Sequence, residues 1–184
     1  GMDYTFQNNL SKQLLTNGFQ TRRTTSHEVR WRWNLTRAWS INSANIVGRK
    51  SDSSDFFSNR NYDIEFYDLE QKLNYQPNTA FRVSVIYKYS HKQNQIKDGG
   101  NQKAEHNDFG LEFKYNQVEK GSINGKFNFI NIIFDGAENT SVAYEMLNAL
   151  KIGYNYTWGL SYQRNLTNNI QISINYDGRK SPNS

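Results

Sequence analysis

The chain has 184 residues, enough for one domain with a sizeable core. It has no cysteine, which excludes disulfides, thiolate metal sites and a cysteine nucleophile. The net charge of +5 comes from scattered Lys and Arg residues rather than a clustered basic stripe, so no nucleic-acid partner is expected.

Aromatic residues make up 15% of the chain, yet mean hydropathy is −0.88. That combination suits strands with one apolar face and one wet face. The 2 prolines leave long strands uninterrupted. No apolar run approaches the roughly 18 residues of a membrane-spanning helix. Gly1 ahead of Met2 reads as a tag remnant and is left out of the fold argument.

In chain order, Tyr4 and Phe6 alternate in a first strand within Asp3–Leu15, and Thr21–Ser26 reads as a polar connection. From His27 to Leu35, Val29, Trp31, Trp33 and Leu35 share one face while Arg30, Arg32 and Asn34 take the other. A short turn at 36–37 leads to a strand over Ala38–Val47, followed by a long polar loop over Gly48–Asn61. Tyr62–Tyr75 is the next strand. Its apolar phase slips between Phe66 and Leu69, where a one-residue bulge is expected.

After a turn at Gln76-Pro77-Asn78-Thr79, the residues Phe81, Val83, Val85, Tyr87 and Tyr89 alternate with Arg82, Ser84 and Lys88. A long polar loop over 92–107 carries Asp98-Gly99-Gly100 at its centre. Phe109, Leu111, Phe113 and Tyr115 form a strand, a tight turn spans 118–121, and Ile123–Phe134 is a strand covered on both faces in its upper part. Within the connection 135–152, Val142, Met146, Leu147 and Leu150 predict one short amphipathic helix. Tyr154, Tyr156, Trp158, Leu160 and Tyr162 alternate again, and a turn at 167–169 precedes a last strand through Ile170, Ile172, Ile174 and Tyr176.

The fold class that follows is all-β, an antiparallel up-and-down meander of about 8–10 strands closed as a β-barrel, with one short helix in a long loop. It forms a single β-barrel domain over 1–184, or a fragment of a larger barrel. Short turns at 36–37, 76–79, 118–121 and 167–169 fall at one end and long loops at 48–61, 92–107 and 135–152 at the other. Outer-membrane barrels have that asymmetry.

Candidate lipid-facing or pocket-lining residues are Trp31, Trp33, Phe81, Val83, Val85, Phe109, Leu111, Phe113, Trp158, Ile172 and Ile174. Candidate residues of a polar lumen are Arg30, Arg32, Asp63, Glu65, Arg82 and Lys88.

Two hairpins share a frame. Asn34-Leu35-Thr36 and Gly48-Arg49-Lys50-Ser51 recur as Asn165-Leu166-Thr167 and Gly178-Arg179-Lys180-Ser181. The first copy is one residue longer, which predicts a bulge near Ser43–Asn45 and leaves the second copy regular. The last strand, Ile170–Tyr176, then has a free edge that pairs with the first strand or with another chain.

The chemistry is sparse. His27, His91 and His106 have no metal-ligand spacing, so no metal or other cofactor is expected. Asp63, Glu65, Asp68 and Glu70 share one strand. A glycosidase-like acid pair or cation ligands would use such residues, and charge compensation for the basic wall is the simpler account. No phosphate-binding loop or nucleophile elbow occurs, and no enzymatic activity is expected.

Asn155-x-x-Trp158, Asn165-Leu166-Thr167 and Ile172-x-Ile174-x-Tyr176-Asp177-Gly178-Arg179-Lys180 resemble the C-terminal strands of large, mostly uncharacterised outer-membrane β-barrel proteins of Gram-negative bacteria. The resemblance covers about the last third of the chain. In such proteins one more strand follows, so it implies a segment of a larger barrel. The expected role is structural, transport or surface exposure in the outer membrane, with the lipid bilayer as partner. The other reading inverts the strands. A soluble lipocalin-like barrel of the periplasm or cell surface would then hold an apolar small molecule or a carbohydrate against its aromatic face.

Overall fold

The computed structural model describes residues 1–96, 101–117, 120–167 and 170–182. Among the described residues nine strands form one antiparallel sheet in sequence order, the meander expected from the alternating runs. They are β1 (Met2–Leu15), β2 (Gly18–Asn34), β3 (Trp39–Ser54), β4 (Tyr62–Tyr75), β5 (Phe81–Asn94), β6 (Lys103–Gln117), β7 (Gly121–Asp135), β8 (Gly153–Thr167) and β9 (Ile170–Lys180). A 3-10 turn, Ser58–Arg60, precedes β4, and a six-residue helix α1, Ser141–Met146, lies between β7 and β8. The strands β1 and β9 are the two edges, and the sheet does not close through them. The Asp98-Gly99-Gly100 turn and part of the turns at 118–121 and 167–169 lie outside the described residues.

Residues paired across neighbouring strands share a face of the sheet. One row runs Trp33, Ile41, Leu73, Val85, Leu111, Phe127, Trp158 from β2 to β8. The next residue along each strand belongs to the opposite face, as in the row Arg30, Ala44, Glu70, Lys88, Asp108, Ile130, Asn155.

The second face is the inside of a curl. Ser84 is 1% exposed and Asn155 1%, whereas Phe109 is 51% and Trp33 60% exposed on the first. Lys72 of β4 reaches over β5 to Glu112 of β6 at 2.7 Å, a span that converging side chains on a concave wall make short.

The strands run further than their apolar alternation. Thr21–Ser26 is part of β2, not a connection, and it pairs with β3 from Ser53 to Gly48. The sequence 48–54 continues β3, and 92–94 and 103–107 belong to β5 and β6. The expected long loops therefore shrink to 55–61 and 95–102, and a two-residue turn at 16–17 lies at the same end. Both faces are polar in these extensions. The backbone ladder persists without a hydrophobic period to announce it.

Two expected bulges are absent. The β3–β4 register runs unbroken from Trp39↔Tyr75 to Asp52↔Tyr62, through both Ser43–Asn45 and Phe66–Leu69. Ser43 and Asn45 are polar residues on the convex face, where Gln71 Nε2 donates to Ser43 Oγ at 2.6 Å and Asn45 Nδ2 donates to the same oxygen at 3.2 Å. The slip in β4 is a change of face: Tyr62, Ile64 and Phe66 look inward, Leu69, Leu73 and Tyr75 outward. The break in register falls instead in the second hairpin, where Asn165 and Thr167 pair with Gln171 and Ile170 and leave Leu166 as the extra residue.

The reason Tyr62 and Ile64 face inward is α1. Thr140 caps it, its Oγ1 accepting from the Ala143 N–H. Val142 and Met146 pack with Tyr62, Ile64 and Ala104, while Ala143 and Leu147 pack with Ile132 and Phe134. The predicted helix thus fills the inside of the curl at the end of the long connections. Lys50 pairs with Glu145. Lys92 Nζ donates to the Met146 carbonyl at 3.1 Å and to Asn148 Oδ1 at 2.8 Å, and His106 Nε2 donates to that same carbonyl at 2.9 Å.

The repeated Gly-Arg-Lys of the two hairpins has a packing reason. Gly48 pairs with Phe66 and Gly178 with Trp158, and each ring lies where a Cβ would stand. Gly125 and Phe113 repeat the arrangement between β6 and β7. An aromatic ring folded over a cross-strand glycine restores the contact that the glycine lacks.

Candidate functional site

Two surfaces of the sheet concentrate distinctive chemistry: an apolar band on the convex side and a charged wall on the concave side. All eleven apolar candidates lie on the convex side. Phe81, Val83, Val85, Phe109, Leu111, Phe113, Trp158, Ile172 and Ile174 form, with Phe127 and Phe129 of β7, a continuous field from β5 to β9, and Trp31 and Trp33 lie on the same side on β2. Along β5 the band runs from Phe81 to Tyr89. That is eight rises of about 3.3 Å, or roughly 26 Å along the strand. It ends at the row Thr25, Arg49, Glu65, Gln93, Lys103. Tyr87 donates its hydroxyl to Asn107 Oδ1 at 2.9 Å near that margin, and Tyr67 and Tyr89 lie ring to ring at 6.5 Å.

Of the six candidates for a polar wall, four are where the alternation put them. Arg30, Arg32, Arg82 and Lys88 are concave. Asp63 and Glu65 are not. They flank Ile64, which is buried inward against α1, so they project to the convex side. There Arg49 Nε donates to Asp63 Oδ1 at 2.6 Å, and its Nη1 lies 3.8 Å from Glu65. The pair belongs to the charged margin of the apolar band.

Carboxylates that do face inward are Asp68 and Glu70 on β4 and Asp108 and Glu112 on β6, with Asp3, Glu28 and Asp177, and Asp52 on β3, held by Arg22 at 2.8 Å. Sequence parity held a signal for Glu112 and Lys114, which alternate with Phe113 as Arg82 does with Val83. Lys72 and Lys126 carry a weaker signal, because apolar residues stand at the same parity further along their strands.

Two of the open cavities formed by the described residues lie on the concave wall. One of about 790 Å³ is lined from β1 to β7 and floored by Asn148 and Leu150. Its charges balance: Arg30, Arg32, Lys72, Lys88 and Lys92 against Asp3, Glu28, Asp68, Glu70 and Asp108. Lys88 Nζ meets Glu70 at 2.8 Å, and Arg30 Nε meets Glu28 at 2.5 Å. The other cavity, of about 870 Å³, spans β5 to β9 nearer the short turns and is lined by Arg82, Lys114, Lys126, Arg179, Glu112 and Asp177 among others.

The histidines stand apart. His27 Nδ1 lies 2.7 Å from the Tyr4 hydroxyl, His91 lies 3.4 Å from Glu105, and His106 is held by the α1 segment. Among the described residues no three His, Cys, Asp or Glu side chains converge as metal ligands. No helix among them is long and apolar enough to cross a membrane. Comparison of the sequence with protein-family models, with curated proteins and with solved structures finds no match.

Proposed function

We propose that this chain is a non-enzymatic β-barrel, or a segment of one, in the outer membrane of a Gram-negative cell, with a structural, transport or surface-exposure role. The observation that carries the reading is the convex apolar band. Its aromatic and aliphatic residues are half-exposed or exposed over most strands. Monomeric soluble domains rarely leave so large a contiguous patch in water. Its roughly 26 Å extent along the strand matches the height of a lipid-facing band once strand tilt is allowed for. Charged residues begin where the band ends, at Arg49, Glu65 and Lys103.

In this reading the concave wall faces a wet lumen, and α1 with its loop narrows the end opposite the short turns. Closure needs β9, through Ile170–Tyr176, to pair with β1 or with a strand of another chain, since both edges carry unpaired backbone groups. The soluble lipocalin-like alternative asks for aromatic rows on the concave side. The placement of Phe81, Val83 and Val85 on the convex side weighs against it.

The test is dispersal. The purified chain is expected to need detergent or lipid vesicles to remain monomeric and folded, as read by size-exclusion chromatography with far-UV circular dichroism. A folded monomer in plain buffer would sink the bilayer contact.

A further inference from the structure

The cavity between β5 and β9 carries unbalanced charge, and we propose that it is a binding site for a small polyanion, a solute with two or more phosphate or carboxylate groups. Arg82 and Lys114 stand directly opposite each other on β5 and β6. Like charges in that position repel. Among the described residues neither has a carboxylate within salt-bridge distance. One row away Lys126 faces Glu112, but that carboxylate is held by Lys72 from β4 at 2.7 Å. Arg179 on β9 completes the set, and Asp177 is the one further acid in the lining.

The neighbouring cavity is the internal comparison. There five cations and five carboxylates line one space, with Lys88–Glu70 and Arg30–Glu28 in contact, although Lys72 reaches out of it to Glu112. The same wall that matches cations and carboxylates in number in one half sets four cations against two carboxylates in the other. The volume of about 870 Å³ suits a single small molecule. Guanidinium groups bind phosphate and carboxylate oxygens in pairs, and lysines add point charge. From β5 to β9 the cations spread over four strand spacings of about 4.8 Å, shortened across the curl, which asks for more than one anionic group. The site lies on the concave side, away from the apolar band, so its ligand is a free solute rather than a lipid headgroup. The inference stands whether or not the convex side meets lipid.

The test is calorimetric titration of inorganic pyrophosphate into the folded chain, in uncharged detergent if the chain needs it, with chloride at matched ionic strength as the blank. One-to-one binding is expected, weakening steeply with added salt. The double variant Arg82→Gln/Lys114→Gln is expected to lose about tenfold or more in affinity, while Lys103→Gln, on the convex side, stays within about twofold. Relieving the Arg82–Lys114 repulsion should leave thermal stability in the absence of the anion unchanged or raised, which a merely structural role for the pair would not do. Should the double variant fail to fold, Lys126→Gln replaces it, with about threefold weakening expected. Absence of pyrophosphate binding, binding retained by the variants, or binding only to anionic phospholipid vesicles would overturn the proposal.

Discussion

The outward and inward sides of β5 and β6 are made of alternating residues and follow opposite rules. Outward, Val83, Val85, Leu111 and Phe113 form an apolar field with no partner layer over it among the described residues. Inward, Arg82, Ser84, Glu112 and Lys114 are polar, and Ser84 is nevertheless more deeply buried than the valines beside it. In a two-layer soluble protein the buried side is the apolar side. Here burial comes from curvature, which crowds short polar side chains on the concave wall and spreads large apolar ones on the convex wall. Ile86 is one inward exception, packed over Gly110, and a larger one is informative. Where α1 covers the concave wall, that wall turns apolar, at Tyr62, Ile64 and Ala104.

The comparison breaks most sharply at Leu111, in the middle of the convex band. Leu111→Lys is expected to cost about 2–4 kcal/mol when unfolding is measured in lipid vesicles, because the ammonium would sit near the bilayer midplane. A cost within about 0.5 kcal/mol, normal for an exposed position in water, would place solvent on that side instead. The next effect is at Gly125, where a Cβ would collide with the Phe113 ring. Gly125→Ala should destabilise by about 1–3 kcal/mol in denaturant titration, and Gly125→Ala/Phe113→Leu should recover part of it. At the larger inward exception, Thr140→Ala removes the oxygen that accepts from the Ala143 N–H. The expected cost is about 1 kcal/mol, read as faster proteolysis between residues 136 and 152 while the strands remain protected.

Much of the sheet was legible because one physical rule, alternation against a half-apolar environment, governs Phe81–Tyr89, Phe109–Tyr115 and Tyr154–Tyr162. The rule fails in two ways. Where both faces are polar, as in Thr21–Ser26 and Arg49–Ser54, the ladder continues without a signature. Where the apolar residues change sides, parity stops reporting which side is which. Tyr62 and Ile64 are apolar because a distant segment, Val142 and Met146, lies on them. Parity alone therefore places Asp63 and Glu65 on the inward side and makes a change of cover look like a bulge. The polar wall was legible only as a parity class. Which cations find carboxylates depends on reach across strands, as between Lys72 and Glu112, and no local pattern encodes that.

The smallest expected effect tests whether the inward wall is wet. Lys72 and Glu112 are 24% and 31% exposed in their side chains and meet at 2.7 Å across an intervening strand. If water fills the concave space, their attraction is screened, and a double-mutant cycle with Lys72→Met and Glu112→Gln should give a coupling of about 0.5–1 kcal/mol. Raising salt from 0.1 M to 1 M shortens the screening length from about 10 Å to about 3 Å, so the coupling should fall by half or more. The single variant Glu112→Gln would also add a fifth uncompensated cation beside Arg82 and Lys126, and should tighten pyrophosphate binding while costing under about 1 kcal/mol of stability. A coupling of several kcal/mol that ignores salt would mean that the wall is sealed from water. The contrast between the two sides would then lie in how charges are paired rather than in what solvates them.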